Sequence, residues 1–198
     1  MKKPLEFDQD DFIQDEFDDA VGAKEGLEAI IDSLVPLNPP ADLTKKVLGT
    51  LSQRRFERFA DDVADLLDID AEQAQKLLDG VDQDENWSAG PVEGMTLYHV
   101  EGGPKVDRAI TGFTRIEAGG GFPEHKHLGK ESILILQGYF KDTVTGVVHG
   151  PGEVVHMEPD TSHGFELLEG GTRLTYLVVV QEGVELGGMP IMYDSPLL

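Results

Sequence analysis

The stretch GGGFPEHKHLGKESILILQG, residues 119–138, decides how the C-terminal half of this chain folds. His125 and His127 are two residues apart on a predicted strand, so both imidazoles point to one face of the sheet. Glu131 follows a Leu128–Gly129 turn and begins a second strand that doubles back beside the first. One hairpin therefore brings three metal-ligating side chains together.

A fourth ligand follows further along the chain. His163 comes directly after GEVVHMEPDTS, residues 152–162. Three neutral imidazoles and one carboxylate form an N₃O donor set that suits Zn, Fe, Mn, Ni or Cu. We predict one divalent transition metal per chain, with zinc as the first choice and iron, manganese or nickel as alternatives. The predicted metal ligands are His125, His127, Glu131 and His163.

The region around this hairpin alternates with a period of two, and Gly-rich turns interrupt it. Many short strands at regular spacing are typical of an all-β sandwich or barrel. The predicted strands are Thr96–Val100, Ala109–Glu117, Phe122–His127, Glu131–Lys141, Val144–His149, Glu153–Glu158, Gly164–Leu168 and Arg173–Gln181.

The N-terminal region has a different composition and period. Residues 1–83 contain no histidine and carry 21 acidic against 9 basic residues, a balance of −12. Apolar residues at helical spacing form three stripes in this region. Their members are Leu27, Ile30, Ile31 and Leu34, then Leu43, Val47, Leu48 and Leu51, and then Phe56, Phe59, Val63, Leu66 and Leu67. Asp70 and Gln73 have the spacing of a capping box that opens one more helix, with a C-cap at Gly80.

These patterns divide the chain into five segments. We predict an acidic, disordered tail over 1–22, a helical region over 23–83, a linker over 84–95, the barrel over 96–185 and a C-terminal extension over 186–198. The composition changes near residue 85, which predicts that a fragment starting near Asp84 folds alone and keeps its metal.

Charge and cysteine content exclude several functions. The net charge of −22 repels phosphate backbones, so we expect no direct nucleic-acid partner. The absence of cysteine excludes disulfides and thiol nucleophiles and agrees with a reducing compartment. Met1-Lys2-Lys3 leads into an Asp-rich stretch that does not fit a secretory signal, and the longest apolar stretch is far too short to cross a bilayer. We therefore predict a cytoplasmic protein that does not enter a membrane.

The spacing of the decisive stretch resembles the first cupin motif at every position. That motif reads Gly119-x5-His125-x-His127-x3-Glu131-x6-Gly138 here. The second cupin motif keeps its spacing and its histidine, as Gly152-x5-Glu158-x-Asp160-x2-His163-x3-Leu167, but replaces the usual Pro, Gly and Asn. The resemblance covers about half the chain and implies a mainly β fold, a cupin jelly-roll barrel, preceded by an all-α region.

A narrower resemblance covers more of the chain. A helical region, a Pro-rich linker (PLNPPADLTKKVLGTL, residues 36–51), a Trp-containing approach and a cupin follow one another as in the ChrR-type anti-sigma factors. In that family an N-terminal zinc-binding helical domain binds a sigma factor and a C-terminal metal cupin senses stress. The family's N-terminal motif His-x3-Cys-x2-Cys is missing, because no His or Cys precedes His99.

Three functions remain compatible with these residues. The first is a regulatory metal-cupin of the ChrR kind, without enzymatic activity, that binds a sigma factor through residues 23–83. The second is a metal-dependent dioxygenase acting on a small molecule, and the third is a small-molecule-binding module without turnover. Ile133, Ile135 and Gln137 are predicted on the metal side of the barrel, as pocket or as core, with Tyr139 and Arg115 near its mouth. His99, His149 and His156 are not predicted ligands, and a homodimer is expected because cupins commonly pair.

Overall fold

The computed structural model describes Leu43 and residues 55–195. Within these residues, a pair of six-stranded antiparallel sheets face each other and form the predicted barrel. The first, sheet A, has the order β1-β2-β3-β10-β5-β8, with bounds Ser88–Ala89, Met95–His99, Ile110–Ile116, Leu174–Val180, Glu131–Gln137 and Val154–Met157. The second, sheet B, has the order β12-β11-β4-β9-β6-β7, with bounds Met189–Ile191, Val184–Leu186, Gly121–His127, Ser162–Leu167, Phe140–Asp142 and Val148–His149.

Two helices lie between residue 55 and the first strand. A 3₁₀ turn, Glu57–Phe59, leads into helix α1, Ala60–Leu67, and helix α2 covers Ala71–Gly80. The predicted capping box is confirmed. The Gln73 backbone N–H donates to Asp70 Oδ1 at 2.8 Å, and the Asp70 N–H donates to Gln73 Oε1 at 3.3 Å. Two donors at the start of α2 are thereby satisfied, which fixes where the helix begins.

Several predictions lie outside the described residues. They are the disordered tail over 1–22, the first helical stripe, the Pro-rich linker and, apart from Leu43, the second stripe. Leu43 is helical, as its stripe predicts, and its side chain is exposed.

Strand β5 is covered on both faces, which explains its continuous apolar run. Ile133 and Ile135 belong to the cluster inside the barrel, which also contains Phe165 and Tyr176. The intervening Leu134 and Leu136 belong to a second cluster on the outer side of sheet A. A strand buried on both faces needs apolar residues at successive positions instead of alternating ones.

The outer cluster joins the helices to the barrel. Leu67 of α1 and Leu78 of α2 pack in the same buried cluster as Phe113, Leu134 and Leu177 of sheet A. Helices α1 and α2 and both sheets accordingly belong to one compact unit. The change in composition near residue 85 is therefore not a break in packing, and the predicted linker contains strand β1 and a second 3₁₀ turn, Asp84–Asn86.

Arg115 strengthens this connection instead of lining the barrel mouth. Its side chain is buried, donates to the Val81 carbonyl just after α2, and lies 3.9 Å from the centre of the Trp87 ring. Thr175 is directly opposite Arg115, and Gln137 is directly opposite Thr175, so all three share this helix-facing side. A register shift in the pairing of β5 with β10 ends the predicted alternation before Gln137.

Strand boundaries differ from prediction where turns interrupt the pattern. The predicted strand Glu131–Lys141 divides into β5 and β6 at Gly138, which has φ +83° and whose added Cβ would lie 2.6 Å from the Arg173 carbonyl oxygen. Of the predicted strand Val144–His149, only Val148–His149 is extended. Strands β11 and β12 lie beyond the last predicted strand, and they extend sheet B into the predicted C-terminal extension.

No helix among the described residues combines the length and apolar character needed to span a bilayer.

Candidate metal centre

The two sheets bring all four predicted ligands to one place. His125 and His127 lie on β4 and His163 on β9, both in sheet B, whereas Glu131 begins β5 in sheet A. His125 is directly opposite His163 in the β4–β9 pairing, so their side chains share a face. All four residues are buried, and one ligating atom of each lies within 4.8 Å of those of the other three.

A β-bulge aims the histidines of β4. The pairing of β4 with β9 places Phe122 opposite Phe165 and His125 opposite His163, so a step of three residues on one strand matches a step of two on the other. Strict alternation would point Phe122 and His125 to opposite faces, but the extra residue turns both toward the interior. Gly164 lies across from the bulge, where an added Cβ would be 2.9 Å from the Glu124 backbone nitrogen.

Hydrogen bonds fix the tautomers of the two β4 histidines. His125 Nδ1 lies 3.1 Å from the Pro123 carbonyl oxygen, which only accepts, so Nδ1 carries the proton. His127 Nδ1 lies 2.9 Å from Thr161 Oγ1. The Thr161 hydroxyl donates its own proton to the Glu158 carbonyl at 2.6 Å, so it accepts from His127. In the neutral imidazoles, the lone pairs are therefore on the two Nε2 atoms.

Asp142 fixes the third histidine in the same way. Its Oδ2 lies 2.9 Å from His163 Nδ1, and its Oδ1 accepts from the backbone N–H groups of Val144 and Thr145. Burial raises the pKa of Asp142, but these hydrogen bonds outweigh it and lower the pKa to about 2, so the group is a carboxylate. Burial lowers the pKa of His163 by more than Asp142 raises it. His163 is therefore a neutral imidazole whose Nε2 lone pair is available.

One nitrogen of each imidazole and one oxygen of the carboxylate then converge in the buried interior. His127 Nε2 and His125 Nε2 lie 3.1 and 3.6 Å from Glu131 Oε2. His127 Nε2, His163 Nε2 and Glu131 Oε2 are buried without a hydrogen-bond partner. Burial raises the pKa of Glu131, but His125 and His127, when they carry a second proton, lower it by more, to about 2, so the group is a carboxylate. A carboxylate and three imidazole nitrogens that converge in a buried interior fit a single divalent metal ion.

Sequence reasoning missed the residues that orient the ligands. Asp142 lies 21 residues before His163, and Thr161 lies 34 residues after His127. Neither separation corresponds to a pattern within one strand or turn. A carboxylate or hydroxyl behind a metal-binding histidine is nevertheless the usual arrangement, and it raises the basicity of the ligand.

The departures from the second cupin motif leave the site intact. Asp160 occupies the position of the usual Gly and has φ +64°, a left-handed conformation that aspartate tolerates better than most residues. Its carboxylate also pairs with Lys126 at 2.6 Å. Leu167, in place of the usual Asn, packs inside the barrel.

The other described histidines lie outside this cluster. His149 contacts Glu153 at 2.9 Å, and His156 contacts Ser132 at 2.9 Å. His99 is exposed at the end of β2. The potential metal-binding cluster found among residues 55–195 contains none of these three histidines.

Replacing Asp142 tests the support behind His163. Asp142→Ala removes the acceptor that holds the His163 Nδ1 proton, and we expect metal affinity to fall by about 10- to 100-fold. Competition with a chromophoric chelator measures this change. Glu153→Ala is the matched control, since it removes the carboxylate from His149, a histidine outside the cluster, at the same 2.9 Å distance. Equal affinity in the two variants would contradict the role of Asp142.

The fold and this buried cluster define a cupin, as the sequence predicts. The chain belongs to the family of ChrR cupin-like domains, whose model matches residues 81–182, more than half of its length. No curated protein matches the sequence.

Two solved structures illustrate the likeness in fold. One is the complex of Rhodobacter sphaeroides SigE with the anti-sigma ChrR. It has a TM-score of 0.50 and 20% identity and covers 84% of this chain and 81% of the other. The second is an acetylacetone dioxygenase from Acinetobacter johnsonii. It has a TM-score of 0.48 and 15% identity, and the likeness covers 56% of this chain and 82% of the dioxygenase chain.

Proposed function

We propose that this protein is a metal-dependent regulator of the ChrR kind, in which the helical region 23–83 binds a sigma factor and the metal cupin controls that binding. The observation that carries the proposal is the extent of the likeness. The barrel begins near residue 88, yet the likeness to the SigE–ChrR structure covers 84% of this chain. It therefore extends beyond the barrel into the N-terminal region, and the anti-sigma protein in that structure is in complex with its sigma factor.

The charge of the N-terminal region supports a basic protein partner. Residues 1–83 carry −12, which complements the basic surface with which a sigma factor contacts DNA. Exposed charge pairs are screened over about 8–10 Å near physiological salt, so the affinity should decrease as salt rises. No His or Cys lies in this region to hold a zinc ion. We therefore propose that apolar stripes, not zinc, stabilise it.

The packing of β5 supports a connection between the metal and the helices. Glu131 ligates from the start of this strand, while Leu134 and Leu136 of the same strand pack in the cluster that contains helices α1 and α2. A change in the position of Glu131 therefore acts on a strand that packs in one cluster with helices α1 and α2.

The remaining elements of the proposal concern the metal, the compartment and the assembly. We assign zinc as the first candidate ion because it accepts an N₃O set without a redox requirement. A sigma-binding protein works beside RNA polymerase, which places it in the cytoplasm. We also propose that the protein forms a homodimer.

Sigma-factor binding is tested with the full chain as bait in lysate of the native host. We expect the bait to capture a sigma factor at low salt, identified by mass spectrometry. The captured amount should fall about tenfold or more when Leu43 and Val47 both become Asp. Both positions belong to one predicted helical stripe, and Leu43 is 42% exposed. Val144→Asp, an equally drastic change at an exposed barrel position, is the control and should leave binding intact.

Two results would count against the regulator. One is the absence of any sigma factor among the captured proteins. The other is O₂ consumption by the iron-loaded protein with a small diketone or thiol, which would favour the dioxygenase.

A further inference from the structure

We propose that Met157 is an oxidation-sensitive site whose conversion to the sulfoxide releases the metal. This inference deepens the proposed function, on which it rests, by naming the chemical class of the signal as a hydroperoxide. The chain has no cysteine, so methionine thioethers are its oxidisable sulfur atoms. Among its five methionines, Met157 is the one whose strand partner is the predicted metal ligand Glu131.

The strand pairing places Met157 beside a metal ligand. Strand β8 pairs with β5 so that Met157 is directly opposite Glu131. Directly opposite residues of an antiparallel pair have Cβ atoms about 4.5–5.5 Å apart and project to the same face. Met157 therefore points to the interior side, where it packs against the apolar cluster of the barrel. It is half-buried, and β8 is an edge strand of sheet A, so a small oxidant can reach the sulfur.

The residues that follow Met157 orient a second ligand. The Asp160 N–H donates to the His127 carbonyl at 3.0 Å, and the His127 N–H donates to the Thr161 carbonyl at 2.9 Å. The Thr161 hydroxyl accepts from His127 Nδ1. A displacement that begins at Met157 thus reaches Glu131 across the sheet and His127 along the chain.

The chemistry is a two-electron oxygen transfer. A sulfur lone pair attacks one oxygen of hydrogen peroxide, the O–O bond breaks, an S–O bond forms and the peroxide's other oxygen leaves as water. The flexible apolar side chain becomes a polar sulfoxide. A polar group placed against an apolar cluster without a hydrogen-bond partner is unfavourable, so the sulfoxide should move the segment away from the interior.

The experiment compares oxidation with metal retention in the metal-loaded full chain. Hydrogen peroxide is added, sulfoxide at each methionine is measured by peptide mass spectrometry, and released metal is measured with a chromophoric chelator. We expect the rate of metal release to rise about 10- to 100-fold as Met157 is oxidised, the range found when residues behind metal ligands are lost. Met157→Leu, which keeps the apolar contact, should bind metal normally and retain it in peroxide.

Two further variants control for general oxidation and misfolding. Met189 and Met192 are exposed and oxidise readily, so changing both to Leu should not protect the metal. Met157→Gln imitates the polar sulfoxide and should weaken metal binding about tenfold without oxidant. Complete oxidation of Met157 with the metal retained would overturn the proposal, as would equal release from Met157→Leu and the unchanged protein. Failure of the unchanged protein to bind metal would refute the metal centre itself.

Discussion

Replacing His125 and His127 together by alanine is expected to reduce bound metal from about one ion per chain to none. The double variant leaves Glu131 and His163 as ligands, and two donors from different sheets do not hold a transition metal against water. Elemental analysis of protein purified from metal-replete medium measures the result. The effect should be larger than that of Asp142→Ala, because it removes ligands instead of their support.

His149→Ala is the control for this measurement. It removes an imidazole that contacts a carboxylate but lies outside the cluster, so the metal content should stay unchanged. Well under half an equivalent in the unchanged protein, with no uptake of zinc, iron or manganese, would contradict the metal centre.

A fragment that starts at Asp84 is expected to be insoluble or to unfold without cooperativity, in contrast to what composition predicts. Removing α1 and α2 exposes the buried outer face of sheet A, including Phe113, Leu134 and Leu177. Each large apolar side chain contributes roughly 1.5–3 kcal/mol when fully buried, and a whole domain is stable by only about 5–15 kcal/mol. Arg115 would also lose the Val81 carbonyl. Circular dichroism with thermal melting is the measurement.

A fragment covering residues 55–198 is the matched control, since it keeps both helices. It should be β-rich with a helical contribution, melt cooperatively and bind metal. If the fragment from Asp84 does the same, the change in composition near residue 85 is a true domain boundary and the outer cluster is dispensable.

The sequence predicts that His125, His127 and Glu131 cluster, because a strand and a hairpin are local. Two histidines at spacing two and a glutamate after a turn need little more than β-geometry to converge. Asp142 is different, because it lies on β6, 21 residues before His163 on β9, and only the pairing of these two strands brings the side chains together. The bulge before His125 could not be predicted either, because nothing in the sequence around Pro123 and Glu124 indicates an extra residue in the strand.

The fold is predicted as a class, and its details depend on packing. Alternation identifies most strands, but β11 and β12 are only three residues each and are separated by Gly187 and Gly188, so the pattern is too short to read. The helices differ from the barrel in charge and period, which suggests separate units. However, the charged residues lie on the outer surfaces of the helices. Their inner faces are apolar and pack against sheet A, which composition alone does not reveal.

The distribution of the ligands over the two sheets has a consequence for a chain without cysteine. Sheet B provides His125, His127 and His163, and sheet A provides Glu131, so a bound ion acts as a covalent-like cross-link between the two layers. A secreted domain of this size often obtains such a tie from a disulfide, which responds to thiols. With a bound ion, the tie would respond to free metal concentration, and each tenfold excess over the dissociation constant would add about 1.4 kcal/mol to the stability of the folded barrel. The supply of metal would then determine how firmly the two sheets are held together.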